Sequence, residues 1–287
     1  MVSGDRINHV KKALLRPADV VIFNVEDGVS EDRKEFARWF LRKFLINTPL
    51  DGSKEVVLRI NPINSKHFWK DITTLLPVVP HAIRLSKVKG PEDVSTLDSI
   101  ITSFELSKGI ERNFIKIQLS IETPEAVNKL LDILSSSERI NAVYLGILDL
   151  FSELSLSHRL SQGDLGRFVR EKFVFESRSK GVHPIAPAFQ DYENLKGFED
   201  EAEKEREIGF SGKMCISVSQ VEVANRVFSP TKEEIEEARE IVEIYERALK
   251  EGKGGIPYKG KFIDQPIYKG ALNLLRYAGI SGDGFPK

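Results

Sequence analysis

The sequence predicts an α/β fold: a TIM-type (β/α)₈ barrel followed by a C-terminal helix and an extended arm. Three observations predict it. Apolar, β-branched runs of strand length alternate with amphipathic stretches of helix length over residues 1–228. The runs are nearly continuous in hydrophobicity, as in strands covered on both faces of a parallel sheet. A chain of 287 residues also suits one large domain, since barrels of this type run to about 250.

Taken in order, the strands are expected at 20–25, 55–60, 82–88, 114–121, 140–147, 182–188 and 212–218. An eighth would lie at Met1-Val2, too short for an ordinary strand, ahead of a helix over 8–15. Helices are expected at 31–45, 66–76, 91–108, 124–136, 164–180, 191–208 and 219–227. Ser30 followed by Glu31 and Asp32 reads as a helix start, with acids in the first turn where the macrodipole favours them. Pro91 stands where proline opens a helix. Gly109, Gly181 and Gly209 stand where glycine closes one. Residues 229–287 form a second region. It holds a long amphipathic helix capped by Ser229 or Thr231, then an arm that carries an ordered hydrophobic pattern and is expected to pack on a neighbouring subunit. A doubly wound open sheet is the rival fold, but no GxGxxG or P-loop follows any of these strands.

Composition removes several functions. Formal net charge is −1, so there is no basic field to hold nucleic acid. No apolar run reaches the roughly 20 residues of a membrane span, and the first residues, MVSGDRINHVKK, have no apolar signal core. The single cysteine, Cys215, excludes an internal disulfide framework and a thiolate-rich metal site, and fits a cytoplasmic location. Cys215 itself reads as a small buried hydrophobe within a strand. The five histidines show no metal-ligand spacing.

In such a barrel, chemistry sits at the C-terminal ends of the strands. There the sequence places Glu26 and Asp27, Arg59 and Asn61, Arg84 and Lys87, Glu122, Gly146 with Asp149, and Ser217 with Gln220. Taken singly, each acid reads as well as a helix cap, and Arg84 and Lys87 as solvated surface charges. Arg59 is sharper, because a guanidinium among β-branched residues is costly unless a carboxylate meets it. Carboxylates with few other ligand types suit a hard cation, Mg²⁺ ahead of Zn²⁺.

These strand ends match a known pattern. VSGDR, ADVVIFNVEDGVSEDRK, LRINP, RLSKV, SIETPEAV, LGILDL, IGFSGKMCISVSQVEVANRVFSPT and GKFIDQPIYKGA resemble, in order and spacing, segments of the citrate lyase β-subunit-like group of the HpcH/HpaI aldolase/citrate lyase family. The resemblance covers nearly the whole chain. It implies a Mg²⁺-dependent carbon–carbon lyase that cleaves or forms a 3-hydroxyacyl thioester such as malyl-, citramalyl- or citryl-CoA, giving an acetyl thioester and an oxo-acid.

The resemblance also implies roles. Glu122 and Asp149 are the Mg²⁺ ligands. Arg59, with Lys87 and Gly146, binds substrate. Glu26 and Asp27 orient Arg59 and metal-bound water. Asp264 is a catalytic acid/base donated across a subunit boundary, in a homotrimer or hexamer with shared sites.

Four segments depart from the pattern: Asn24 stands for aspartate, Ser217-Val218 for His-Pro, Ser86 and Lys89 for proline and glutamate, and Ala126 for glycine. They leave two other readings open, a non-catalytic paralogue binding a carboxylate or nucleotide, and a metal-dependent aldolase acting on free oxo-acids.

Overall fold

The computed structural model describes residues 1–48 and 52–280. The chain divides into two compact units, Met1–Val227 and Phe228–Lys287.

The first unit is a curled sheet of eight parallel strands in chain order. They are β1 (Val2–Ser3), β2 (Val20–Asn24), β3 (Glu55–Ile60), β4 (Ala82–Leu85), β5 (Lys116–Ile121), β6 (Ile140–Leu145), β7 (His183–Ala186) and β8 (Gly212–Lys213). The main-chain nitrogen of Met1 donates to Cys215 O at 2.8 Å, bridging β1 and the chain just after β8. The covering helices are α1 (Ile7–Ala13), α2 (Lys34–Ile46), α3 (Phe68–Leu75), α4 (Pro91–Lys108), α5 (Pro124–Asn128), α6 (Leu130–Ser135), α7 (Ile147–Glu153), α8 (Asp164–Ser179), α9 (Leu195–Ile208) and α10 (Val218–Phe228). Ile22, Val57, Ala82, Ala142, Tyr144 and Met214 fill the interior together, from alternate positions as strand geometry requires. No helix among the described residues is long and apolar enough to cross a membrane.

The structure refines several expectations. The last strand, expected over 212–218, keeps two residues. Beyond it the main-chain nitrogens of Ile216 and Ser217 donate to Gln220 Oε1 at 2.9 and 3.4 Å, so a buried side chain takes the donors that a longer strand would have paired. Cys215 therefore lies outside a strand and is only partly buried. The run expected as a strand to residue 147 ends at Leu145, and α7, not expected from the sequence, begins at once. The helix expected at 124–136 divides at Lys129 into α5 and α6. Ser30 does precede a helical turn, but its hydroxyl donates to Asp32 Oδ1 and makes no cap bond to the backbone.

The largest fully buried side chain of this unit is a charge matched by carboxylates. Arg139, fully buried, donates to Glu105 Oε1 and Oε2 at 2.9 and 2.7 Å and to Asp98 Oδ1 at 2.7 Å, tying α4 to the start of β6.

The second unit holds α11 (Lys232–Lys250), an antiparallel ribbon of β9 (Ile256–Tyr258) and β10 (Lys261–Ile263), and α12 (Gln265–Tyr277). Thr231, not Ser229, starts α11, in a reciprocal capping box with Glu234. Ala238, Val242, Ala271, Leu272 and Leu275 join α11 to α12.

Candidate active site

Residues at or just after β3, β4, β5, β6 and β7 line a cleft of about 150 Å³, among them Arg59, Arg84, Glu122, Tyr144, Gly146 and Asp149. A wider cleft in the second unit, about 260 Å³ between α11 and α12, is lined mainly by aliphatic residues such as Ile241, Ile267 and Leu274. It gathers no comparable set of charged groups.

Arg59 is the hub. It is buried, and Nη2 lies 2.9 Å from Glu26 Oε2 and 3.2 Å from Glu122 Oε1. Its Nε donates to Ser86 Oγ at 3.1 Å. Ser86 is one of the four departures from the family pattern, and here it supplies the hydroxyl that fixes the guanidinium. Asn24, another departure, accepts the Glu26 N–H at 3.0 Å, so it shapes the turn that aims Glu26 at Arg59. Lys34 of α2 holds the same turn from behind, donating to Val25 O, Glu26 O and Asn61 Oδ1 at 3.0, 3.0 and 3.1 Å.

Glu26 is almost fully buried. Its Oε2 also accepts the Asp27 N–H at 2.6 Å. Burial raises its carboxyl above the usual range, with Arg59 opposing. Lys87 Nζ lies 2.7 Å from Asp27 Oδ2, and 3.4 Å from Glu26 Oε1 without hydrogen-bond geometry. Partial burial works against the charge of Lys87, but Asp27 and Glu26 hold its pKa above that of an ordinary lysine. Burial likewise pushes Asp27 up, but the Lys87 hydrogen bond, the contact with Glu26 and the charges of Lys87 and Arg59 together outweigh it, so Asp27 stays low. Lys87 adopts φ 49°, a left-handed conformation that costs a side-chain-bearing residue of order 1–3 kcal/mol and tends to occur where a site demands it.

Glu122 is buried at the end of β5. One oxygen meets Arg59 and the other, Oε2, has no hydrogen-bond partner. Buried polar atoms are rarely left so. Asp149 stands exposed on the first turn of α7 and lines the same cleft. The unexpected helix is therefore what presents Asp149. Among the described residues no three His, Cys, Asp or Glu side chains converge as a metal cage. The protein thus offers two carboxylates, a small dedicated set of the kind Mg²⁺ uses when water and substrate complete its shell. Glu122 Oε2 fits that role.

Other residues fall differently. Asp264 belongs to the second unit, where it caps α12 and Oδ1 accepts the Ile267 N–H at 3.4 Å. Arg84, readable from the sequence as a solvated charge, is instead buried: Nε donates to Ser120 Oγ at 2.9 Å and Cζ sits 3.6 Å from the Tyr144 ring centroid. Lys87 is half-buried rather than fully solvated. The sequence did contain the signal for Arg84 and Ser86, since Ala82, Arg84 and Ser86 share one side of β4 by simple alternation.

A parallel barrel with carboxylates and an arginine at its strand ends has the layout of a barrel enzyme, and the carboxylates suit metal-assisted chemistry. The family model of the HpcH/HpaI aldolase/citrate lyase family matches residues 1–218, and the chain belongs to that family. It is similar to the citrate lyase subunit beta of Escherichia coli K12, 29% identical over 281 residues that cover 98% of this chain and 92% of that one. It is also similar to the L-malyl-CoA/beta-methylmalyl-CoA lyase of Cereibacter sphaeroides, 29% identical with coverage of 96% and 92%. Among solved structures, the protein CitE of Mycobacterium tuberculosis in complex with magnesium, acetoacetate and coenzyme A superposes with TM-score 0.76 at 25% identity, covering 97% of this chain and 96% of that one. A citrate lyase of Burkholderia xenovorans superposes at 0.81 with 20% identity, covering 98% and 90%, a likeness of fold.

Proposed function

We propose that this chain is a Mg²⁺-dependent carbon–carbon lyase that cleaves, or in reverse forms, a 3-hydroxyacyl-CoA thioester, giving an acetyl thioester and a 2-oxo-acid. The observation that carries the reading is the buried Glu122 carboxylate, one oxygen of which meets Arg59 while the other has no partner, in a residue that lines the same cleft as Asp149. The names of its relatives support the thioester and the metal.

In this reading Glu122 and Asp149 hold Mg²⁺, which supplies Lewis-acid stabilisation of charge on the substrate's oxygens when bound. Arg59 donates to the oxo-acid's carboxylate and to the oxygen that becomes the carbonyl. Its position is fixed in advance by Glu26, Glu122 and Ser86, so no reorganisation is needed as charge develops. Glu26 and Asp27 hold Arg59 and Lys87 in place, and Gly146 leaves room beside Glu122. Cleavage removes the proton of the 3-hydroxyl and breaks the adjacent C–C bond. The bonding pair passes to the thioester as an enolate, which then takes a proton at carbon. Asp264, from a neighbouring subunit in a homotrimer or hexamer, is the acid/base that takes the hydroxyl proton and returns a proton to the enolate carbon. We place the enzyme in the cytoplasm, in keeping with one thiol and no disulfide partner.

The test is incubation of the purified protein with Mg²⁺ and malyl-, citramalyl- and citryl-CoA, following acetyl-CoA and oxo-acid release, with Glu122→Gln as control. Mg²⁺-dependent cleavage of one thioester, lost in the control, is expected. Measurable Mg²⁺ binding with no cleavage of any thioester would reject it.

A further inference from the structure

The cleft holds a cation that the proposed chemistry leaves unused. Arg84 Nη1 is buried without a hydrogen-bond partner. Among the described residues Arg84 has no carboxylate within ion-pair distance, whereas Arg59 has two. Among the described residues its one hydrogen bond joins Nε to the neutral Ser120 hydroxyl, and the face of Tyr144 supports it from one side. The Tyr144 hydroxyl is committed elsewhere, donating to Gln118 Oε1 at 2.8 Å.

Register places the two cations side by side. Arg59 on β3 is the in-register partner of Arg84 on β4. Arg59 Nε reaches the Ser86 hydroxyl and Arg84 Nε the Ser120 hydroxyl, and Ser86 and Ser120 directly follow the paired residues Leu85 and Leu119. The Arg84 guanidinium therefore lies beside that of Arg59, in the same cleft. Burial, with the like charge of Arg59, pulls its pKa down to about 9, so it remains charged at neutral pH. A buried charge without a partner is the costly arrangement, and an incoming anion removes that cost.

We propose that Arg84 is a specificity-determining residue. Its guanidinium receives a second carboxylate on the oxo-acid, so the site prefers a 2-oxo diacid to a 2-oxo monoacid. The assignment rests on the lyase reading, in which Arg59 and the metal-binding carboxylates engage the 2-oxo-acid end of the same molecule.

The experiment compares oxaloacetate with pyruvate, titrated calorimetrically into the Mg²⁺-saturated full-length protein and into Arg84→Met. The wild type is expected to bind oxaloacetate roughly 10–100-fold more tightly, the range for a hydrogen bond between charged groups. Arg84→Met is expected to bring the two acids to within about twofold while pyruvate affinity stays unchanged. If circular dichroism shows that Arg84→Met does not fold, Arg84→Gln carries the same comparison, since it keeps a donor for Ser120 and removes the charge. Equal affinities in the wild type, a preference that survives the substitution, or equal loss of both acids would overturn the role of Arg84. Failure of the wild type to bind either acid would instead overturn the lyase reading, and this assignment with it.

Discussion

A Cβ placed on Gly146 would lie 2.4 Å from Glu122 Cγ. The glycine after β6 is therefore what lets the Glu122 side chain occupy its position beside Arg59. Gly146→Ala must push Glu122 aside, with the fold otherwise intact. The expected result is a loss of Mg²⁺ affinity on the order of 10–100-fold, the range for disturbing groups that position metal ligands. Calorimetric titration with Mg²⁺ checks it, and unchanged affinity would show that Glu122 finds an equivalent position.

Glu122→Gln and Asp149→Asn act on the proposed ligands directly. Each removes one of the two carboxylates proposed to hold the metal. Each is expected to lose at least as much Mg²⁺ affinity as Gly146→Ala and to abolish turnover. If Asp149→Asn bound Mg²⁺ like the wild type, α7 would have to be dropped from the metal site.

Much of this was legible in the sequence because strands and helices differ in period, and near-continuous apolar strands imply a parallel sheet. Glu26, Arg59 and Glu122 were legible as polar residues ending such strands, and they meet in the structure. What was less legible depended on partners remote in sequence. YLGILDL is continuously apolar, so α7 hides within it, and only the structure shows Asp149 raised on a helical turn. Ser86 reads as a mere loss of proline until Arg59 Nε is seen against its hydroxyl.

That contact is testable. Ser86→Ala leaves the buried Arg59 Nε–H without its acceptor, at a cost of about 1–2 kcal/mol. If the cost is felt when substrate must be held, kcat/KM falls on the order of tenfold, mainly through KM. Steady-state kinetics separate the two parameters. Wild-type kinetics in the variant would mean that Glu26 and Glu122 alone position Arg59.

Stability is expected to depend on pH through Glu105. Burial pushes its carboxyl up, but hydrogen bonds from Arg139 and from the N–H groups of Ile115 and Asn113 outweigh that, so its folded pKa lies below 4.5. A depressed acid contributes stability that is complete above its unfolded pKa and is lost as pH falls through the folded one. Glu105→Gln leaves Arg139 with a weakened partner set in a fully buried place, at a cost of about 3–5 kcal/mol near neutrality. Denaturant melts of both proteins should show that gap narrowing as pH drops below about 4.5. A gap independent of pH would mean that packing, not charge, holds α4 to β6.

Asp264 tests whether the site is shared between subunits. Asp264→Asn is expected to lower turnover while leaving Mg²⁺ affinity intact, because in the proposed mechanism it removes a proton-transfer group and not a ligand. Glu122→Gln removes the ligand and keeps Asp264. If Asp264 serves the cleft of a neighbouring subunit, unfolding and refolding the two inactive variants together must regenerate some sites with both groups native, one from each chain. Activity should then reappear in the mixture, and size-exclusion chromatography should show an oligomer. If Asp264 instead serves the cleft of its own chain, every site in the mixture lacks one group and no activity returns. Parallel loss of Mg²⁺ binding in Asp264→Asn alone would remove it from the acid/base role altogether.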